Sequence, residues 1–130
     1  MNKTIVTTAC LLGAFTIGLG AFGAHGLKEL VDAYGVATFK TGVQYQMYHV
    51  LFLLFLGVIP GISEKKKKPI FYLVLLGILL FSFSLYFLAT NSLTAFDFKT
   101  IGFITPLGGL AFIVAWILSG YHLLKNGRFN

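Results

Sequence analysis

Long apolar runs separated by short polar segments make up most of the chain. Each run has about 20 residues, and a helix of that length crosses the roughly 30 Å hydrocarbon core of a bilayer. We therefore predict an all-α integral membrane protein. Residues 1–130 are expected to form a single membrane domain with four transmembrane helices, at about 5–27, 41–59, 69–90 and 101–124.

Proline marks several of the predicted boundaries. Pro60, which precedes a glycine, is expected to end the second span, since this pair interrupts helices. Pro69 is expected in the first turn of the third span, where the N–H that proline lacks is not needed. In the fourth span, the segment Thr105-Pro106-Leu107-Gly108-Gly109 predicts a kink or break in the outer half.

The segment between the first two spans has a helical pattern of its own. Its apolar residues recur at helical spacing, whereas Lys28 and Asp32 form a pair four residues apart on another face. The pattern predicts either a short amphipathic helix in the membrane interface or additional turns of the neighbouring spans. The apolar face consists of Leu27, Leu30, Val31, Tyr34 and Thr38.

Composition supports the membrane assignment. Hydrophobic residues make up 57% of the chain and charged residues 11%, against about 45–50% and about 25% in soluble domains. A net charge of +6 can indicate a nucleic-acid partner, but here the basic residues punctuate apolar runs, so we expect the lipid bilayer and no nucleic acid. The single cysteine, Cys10, excludes an intramolecular disulfide and a cysteine-based zinc site.

Lysine and arginine are distributed unevenly between the two faces of the membrane. With four spans, seven of them lie on the side of the termini and three on the other side, which predicts cytoplasmic termini in a bacterial plasma membrane. The four consecutive lysines are expected to contact acidic headgroups, at about 1 kcal/mol each. The seven are Lys3, Lys65, Lys66, Lys67, Lys68, Lys125 and Arg128; the three are Lys28, Lys40 and Lys99.

Small residues recur every four positions in the first span. They form two rows, and such rows let the backbones of neighbouring transmembrane helices approach closely. This predicts a tightly packed bundle and allows contacts within a homo-oligomer. One row is Cys10, Ala14 and Gly18, and the other is Thr16, Gly20 and Ala24.

Polar residues open the second span. Gly42, Tyr45, Gln46 and His49 share one face, and His49 would lie about 12 Å along the helix from the outer interface. We favour a neutral histidine that bonds a Tyr, Ser or Thr of another helix, with a ligand site as the alternative. His25, which ends the first span, could meet His49, but two histidines do not make a metal site.

The later spans carry further polar and aromatic residues. The row formed by Ser82, Tyr86 and Thr90 is expected to bond backbone carbonyls or a neighbouring helix. Trp116 with Tyr121 and His122 indicates an aromatic belt at the cytoplasmic interface. The candidate polar or ligand cluster is His25, Tyr45, Gln46, His49, Tyr86 and Thr105, and the candidate packing residues are Ala14, Gly18, Gly20, Ala24, Gly108 and Gly109.

Three motifs resemble an uncharacterised family, of the UPF/DUF type, of small four-helix membrane proteins that includes the bacterial YgdD and YwdK proteins. They are residues 20–27 (GAFGAHGL), 41–49 (TGVQYQMYH) and 105–109 (TPLGG), with a looser match at 83–86 (FSLY). The resemblance covers nearly the whole chain. It implies a four-helix protein of the bacterial plasma membrane and supplies no reaction, substrate or partner.

The sequence favours a non-enzymatic bundle or assembly protein. One alternative is an oligomeric channel or carrier for a small solute or ion, and a second is a membrane protein or enzyme that binds a lipid or quinone. The sequence shows no pattern of a nucleophile, a base and an orienting group. We therefore assign no catalytic residue, metal or cofactor.

Overall fold

The computed structural model of the protein describes residues 1–126, and all regular structure in that range is helical. Arg128, which the prediction of orientation counts, lies outside it. The helices are α1 (Asn2–Ala24), α2 (Ala33–Val58), α3 (Glu64–Gly77), α4 (Phe83–Ala89) and α5 (Ile104–Asn126). A π-helical turn (Ile78–Ser82) joins α3 to α4, and 3-10 turns occupy Leu27–Glu29, Asn91–Leu93 and Phe98–Ile101.

Three helical stretches of the described chain are long and apolar enough to cross a membrane. They are Asn2–Glu29, Glu64–Ala89 and Phe98–Asn126, which correspond to the first, third and fourth predicted spans. The second predicted span lies on α2, which has 26 residues. Its first half carries Lys40, Gln44 and Gln46, which lower its hydropathy.

Helix α2 lies at the centre of the bundle. It packs against α1 on one side, against α4 and the π-helical turn on another, and against α3 near its end, while α5 packs against α3 and the π-helical turn. The main apolar core includes Ile5 of α1, Leu53 and Leu56 of α2, and Ile70 and Val74 of α3. Many large apolar side chains of α1 and α5 are exposed on the outside of the bundle, as expected where lipid is the solvent.

Helix α2 begins eight residues before the predicted start of the second span. Asp32 caps it, since the Asp32 side chain accepts a hydrogen bond of 2.8 Å from the Gly35 N–H, a favourable N-cap interaction. The separate interfacial helix is therefore replaced by one 3-10 turn and the first turns of α2, which was the other interpretation. The predicted pairing of Lys28 with Asp32 is not formed within residues 1–126.

Helix α3 begins at Glu64, five residues before the predicted start of the third span. Ser63 occupies the N-cap position, and Glu64 lies in the first turn, where the helix dipole favours a carboxylate. Pro69 is consequently inside the helix and not in its first turn. The lysines of the predicted loop form part of this helix.

The predicted kink or break does not interrupt the helix at residues 105–109. Helix α5 begins at Ile104 and continues to Asn126. Pro106 lies in its first turn, where a missing N–H interrupts no intrahelical hydrogen bond. The irregular backbone lies instead in the helical stretch Glu64–Ala89, which we call the third rod. It is the π-helical turn of this rod, which packs against α5.

Candidate functional site

Three polar side chains form a hydrogen-bonded chain across the bundle. Gln46 donates from Nε2 to Thr16 Oγ1 at 2.7 Å, and its Oε1 accepts from the Tyr86 hydroxyl at 2.6 Å. Thr16 donates in turn to the Leu12 carbonyl at 2.6 Å. Gln46 and Thr16 are fully buried, where an unbonded polar group would cost several kcal/mol. The chain joins α1, α2 and α4.

Ser82 provides a second link between α2 and the third rod. Its buried hydroxyl donates to the Gly42 carbonyl at 2.8 Å, and Thr90 donates to the Tyr86 carbonyl at 3.0 Å. A Cβ at position 42 would lie 2.6 Å from Tyr86 Cε1, so a glycine is needed at this approach. The row formed by Ser82, Tyr86 and Thr90 thus bonds another helix and backbone carbonyls, and that prediction is confirmed.

His49, on α2, contacts α5. Its Nε2 lies 3.1 Å from the Trp116 indole nitrogen, and an indole N–H can only donate. The ring is therefore neutral, with its proton on Nδ1, which donates to the Tyr45 carbonyl at 2.7 Å. The ring also stacks on Phe112, with centroids 3.6 Å apart. His49 links two helices as expected, with tryptophan as its partner in place of a Tyr, Ser or Thr.

Thr105 joins the beginning of α5 to α4. Its Oγ1 lies 2.6 Å from Ser84 Oγ. Because the Ser84 hydroxyl donates to the Phe81 carbonyl at 2.8 Å, Thr105 is the donor between the two hydroxyls. This contact fixes the first turn of α5 against the third rod.

The side chains of the remaining two members of the candidate cluster lie apart from this network. His25 is exposed at the C-terminal end of α1, and the contacts of His49 in the described chain do not include it. Tyr45 is 40% exposed, and its ring packs on those of Tyr48 and Phe81, with centroids 5.6 and 4.9 Å away. The structure therefore joins Gln46 to Tyr86 and brings neither histidine to the other.

The six candidate packing residues fall into three groups. Gly108 is buried against the backbone of Leu80 and Phe81, and its neighbour Gly109 has more room, since a Cβ there would lie 3.8 Å from the nearest atom of the Phe81 ring. Two others, Gly20 and Ala24, line a groove between α1 and α2. The last two, Ala14 and Gly18, are exposed on the outer face of α1.

Two residues of the predicted aromatic belt, Tyr121 and Trp116, have different surroundings. Tyr121 is exposed, and the ammonium of Lys125 lies 5.7 Å from its ring centroid. Trp116, however, faces α2 through its indole N–H, although 52% of the residue is exposed. Trp116 lies one turn after Phe112, and this spacing of two aromatics on one helical face is the signal that could have assigned both to His49.

The four consecutive lysines do not all face solvent. Lys65, Lys66 and Lys68 are exposed, but Lys67 is 1% exposed and donates from Nζ to Asn2 Oδ1 at 3.0 Å. Nearby, the Met1 amino group lies 3.5 Å from the Glu64 carboxylate. Lys67 therefore secures the beginning of α1, and contact with acidic headgroups stays a prediction for the other three.

The network is suited to holding helices together. Within residues 1–126, no three His, Cys, Asp or Glu side chains cluster as metal ligands. The inward-facing hydroxyl, amide and imidazole groups described above are bonded to other protein groups. This arrangement stabilises a bundle without presenting an activated nucleophile.

Comparison with known proteins identifies the family. The model of a family described as a protein of unknown function (DUF423) matches residues 19–109. The chain belongs to this family. All six members of the candidate polar cluster lie within the matched DUF423 residues, whereas Thr16 and Trp116 lie outside them.

Several bacterial proteins named as UPF0382 membrane proteins are similar over nearly their whole length. YwdK of Bacillus subtilis is 38% identical over 89% of this chain and 92% of its own. A relative from Haemophilus influenzae is 36% identical over 97% and 98%, and one from Staphylococcus saprophyticus is 38% identical over 89% and 92%. No solved structure matches. The resemblance seen in the sequence is confirmed, and the chain is a helical membrane protein.

Proposed function

We propose that the chain is a non-enzymatic, four-span helical-bundle protein of the bacterial plasma membrane that assembles with copies of itself. The hydrogen bonds that its polar cluster forms between helices support the proposed bundle. Gln46, Tyr86, His49 and Thr105 each form a hydrogen bond with another helix. Interhelical bonds of this type contribute about 0.6 kcal/mol each in membrane proteins.

The position of α2 supports a fourth span. Its 26 residues extend about 39 Å, which exceeds the roughly 30 Å hydrocarbon thickness. Its polar side chains Gln46 and His49 are 0% and 4% exposed, because they face other helices. A helix whose polar groups are satisfied inside a bundle can cross a bilayer despite its lower hydropathy.

Contacts at one end of the bundle support termini on the same side. Asn2 accepts from Lys67, and the Asn126 amide donates to the Gly61 carbonyl. These contacts bring the beginning of α1 and the end of α5 to the segment that carries the lysine run. Exposed lysines at this end favour the cytoplasmic side.

The outer face of α1 supports self-assembly. Ala14 and Gly18 lie on it, and no other part of the described chain lies within 4 Å of the position that a Cβ of Gly18 would occupy. Small residues four positions apart allow two transmembrane helices to approach closely. This outward row is the observation that carries the proposed assembly, since each protomer presents the same surface.

The test is to enlarge this row and measure the size of the assembly. Replacing Ala14→Leu and Gly18→Leu together should leave the protomer folded, because both positions face outward, and should reduce the assembly to monomers in analytical ultracentrifugation in detergent. Gly120→Leu is the control, since a Cβ at Gly120 on α5 would likewise meet no other part of the described chain within 4 Å, and Gly120 lies on another helix. An unchanged assembly in the double variant would contradict the proposal.

A further inference from the structure

A groove of about 630 Å³ lies between α1 and α2. Gly20, Gly23 and Ala24 of α1 form one wall, and Val36, Val43 and Met47 of α2 are among the residues of the other. The small side chains of α1 leave this space open. Its walls are mostly apolar, so its interior favours a hydrocarbon occupant.

Two lysines line the half of the groove that is nearer to the connection between α1 and α2. Lys28 lies in the turn after α1, and Lys40 lies near the beginning of α2; both line the groove and are exposed. Neither forms an ion pair with a carboxylate among residues 1–126. Asp32, the acidic residue spaced to pair with Lys28, instead caps α2 through the Gly35 N–H. Glu29, beside Lys28, is exposed and lines no part of the groove.

The groove follows α2 over several helical turns. On α2, its lining extends from Val36 to Tyr48, twelve residues or about 18 Å. One leaflet of hydrocarbon is about 15 Å thick. The groove is therefore long enough for an acyl chain that crosses one leaflet.

We propose that this groove binds one anionic glycerophospholipid, with an acyl chain between α1 and α2 and the headgroup phosphate between Lys28 and Lys40. The apolar walls exclude a free phosphate or a soluble anion from the interior, and the two ammonium groups select a negative headgroup at the mouth. Binding at this site is independent of whether the protein assembles with itself.

Native mass spectrometry in mild detergent tests the proposal. The protein is mixed with synthetic phosphatidylglycerol or with phosphatidylethanolamine of the same acyl chains. We expect one molecule of phosphatidylglycerol to be retained per protomer, in preference to phosphatidylethanolamine. Lys28→Gln with Lys40→Gln should weaken its retention about 30-fold, because each lysine near an anionic lipid contributes about 1 kcal/mol.

Two matched controls distinguish the groove from general surface effects. Lys65→Gln with Lys66→Gln removes two exposed lysines from the opposite end and should leave the stoichiometric lipid in place. Ala24→Phe should fill the groove and displace the lipid, whereas Ala21→Phe, on an exposed part of α1 outside the groove lining, should not. Equal lipid retention by Ala24→Phe and wild type, or by the Lys28 and Lys40 variant and wild type, would overturn the proposal.

A measurement on the unaltered protein avoids dependence on the folding of variants. Phosphatidylglycerol with a photoreactive diazirine in its acyl chain should label peptides within 16–28 and 36–48, which line the groove. Labelling spread evenly over the exposed surfaces, or concentrated on α5, would overturn the proposal. The proposal would also be overturned if a second protomer occupied the groove and no lipid were retained.

Discussion

Gln46 illustrates how one side chain organises the interior of this protein. Its amide has both a donor and an acceptor, and the structure uses both, toward Thr16 on α1 and Tyr86 on α4. In a bilayer, water cannot replace either partner. Removing one hydrogen-bond partner therefore leaves a buried polar group unbonded. Substitutions at Gln46 and at its partner should consequently be energetically coupled.

A double-mutant cycle at Gln46 and Tyr86 measures this coupling. Tyr86→Phe and Gln46→Leu should each lower the thermal stability in detergent, and their combination should cost less than the sum of the two. We expect a coupling energy of about 0.6–1.7 kcal/mol, the range for hydrogen bonds between membrane helices. Circular dichroism during heating gives the measurement.

Tyr72→Phe is the control for loss of a tyrosine hydroxyl, since Tyr72 is 54% exposed on α3. It should leave the midpoint of unfolding unchanged. Strict additivity of the Gln46 and Tyr86 variants would show that the hydrogen bond contributes nothing measurable.

At this scale, the sequence placed Gln46 and His49 on one inward face of a helix, because helical periodicity depends only on local spacing. It did not pair them with partners. Thr16 and Tyr86 lie 30 and 40 positions from Gln46, and Trp116 lies 67 from His49. Such pairings depend on how the helices pack.

The contact between α5 and the π-helical turn shows how two elements are fitted together. The backbone of Gly108 meets the backbone at Leu80 and Phe81, and a Cβ there would lie 2.7 Å from the Leu80 carbonyl carbon. A Cβ added at Gly108 could be accommodated only if the backbone of α5 or of the π-helical turn moved. A glycine is therefore needed at position 108, and not at position 109.

Adjacent alanine substitutions test this difference. Gly108→Ala should destabilise the protein by about 1–3 kcal/mol, the usual cost of overpacking a tight contact. Gly109→Ala should be neutral or slightly stabilising, since its Cβ would make an ordinary contact of 3.8 Å and alanine favours a helix. Thermal unfolding in detergent compares the two. Equal effects would show that the close approach at Gly108 does not limit packing.

The sequence also predicted element types better than element boundaries. Hydropathy located the three stretches that are long and apolar enough to cross a membrane, but α2 and α3 begin earlier than predicted, directly after the N-caps Asp32 and Ser63. Proline at positions 69 and 106 was assigned to the wrong parts of its helices. A proline tolerates several positions near a helix start, so it fixes the boundary only within a turn or more.

For the whole molecule, the orientation in the membrane follows from where the charges collect. Contacts of Asn2 with Lys67 and of Asn126 with Gly61 bring the beginning of α1 and the end of α5 close to the lysine run. Lys28 lies at the other end of α1. The proposed orientation therefore places Lys66 in the cytoplasm and Lys28 outside the plasma membrane.

Cysteine labelling in intact bacterial cells tests this orientation. In a Cys10→Ala background, Lys28→Cys should react with a membrane-impermeant maleimide before permeabilisation. Lys66→Cys should react only afterwards, since both side chains are exposed at opposite ends of the bundle. Detergent-treated cells provide the control that both cysteines are reactive. Reversed labelling would place the termini outside.

The sequence by itself determined the class of this protein, because an apolar content of 57% in 130 residues requires lipid as solvent. It also placed Gln46 and His49 on one helical face, through helical periodicity, but it did not predict the burial of Lys67. Only the tertiary structure decided the partners of Gln46 and His49, the outward direction of Ala14 and Gly18, and the groove with Lys28 and Lys40 at its mouth. These features depend on the rotation and register of each helix against its neighbours, which contacts between distant segments set and local sequence does not.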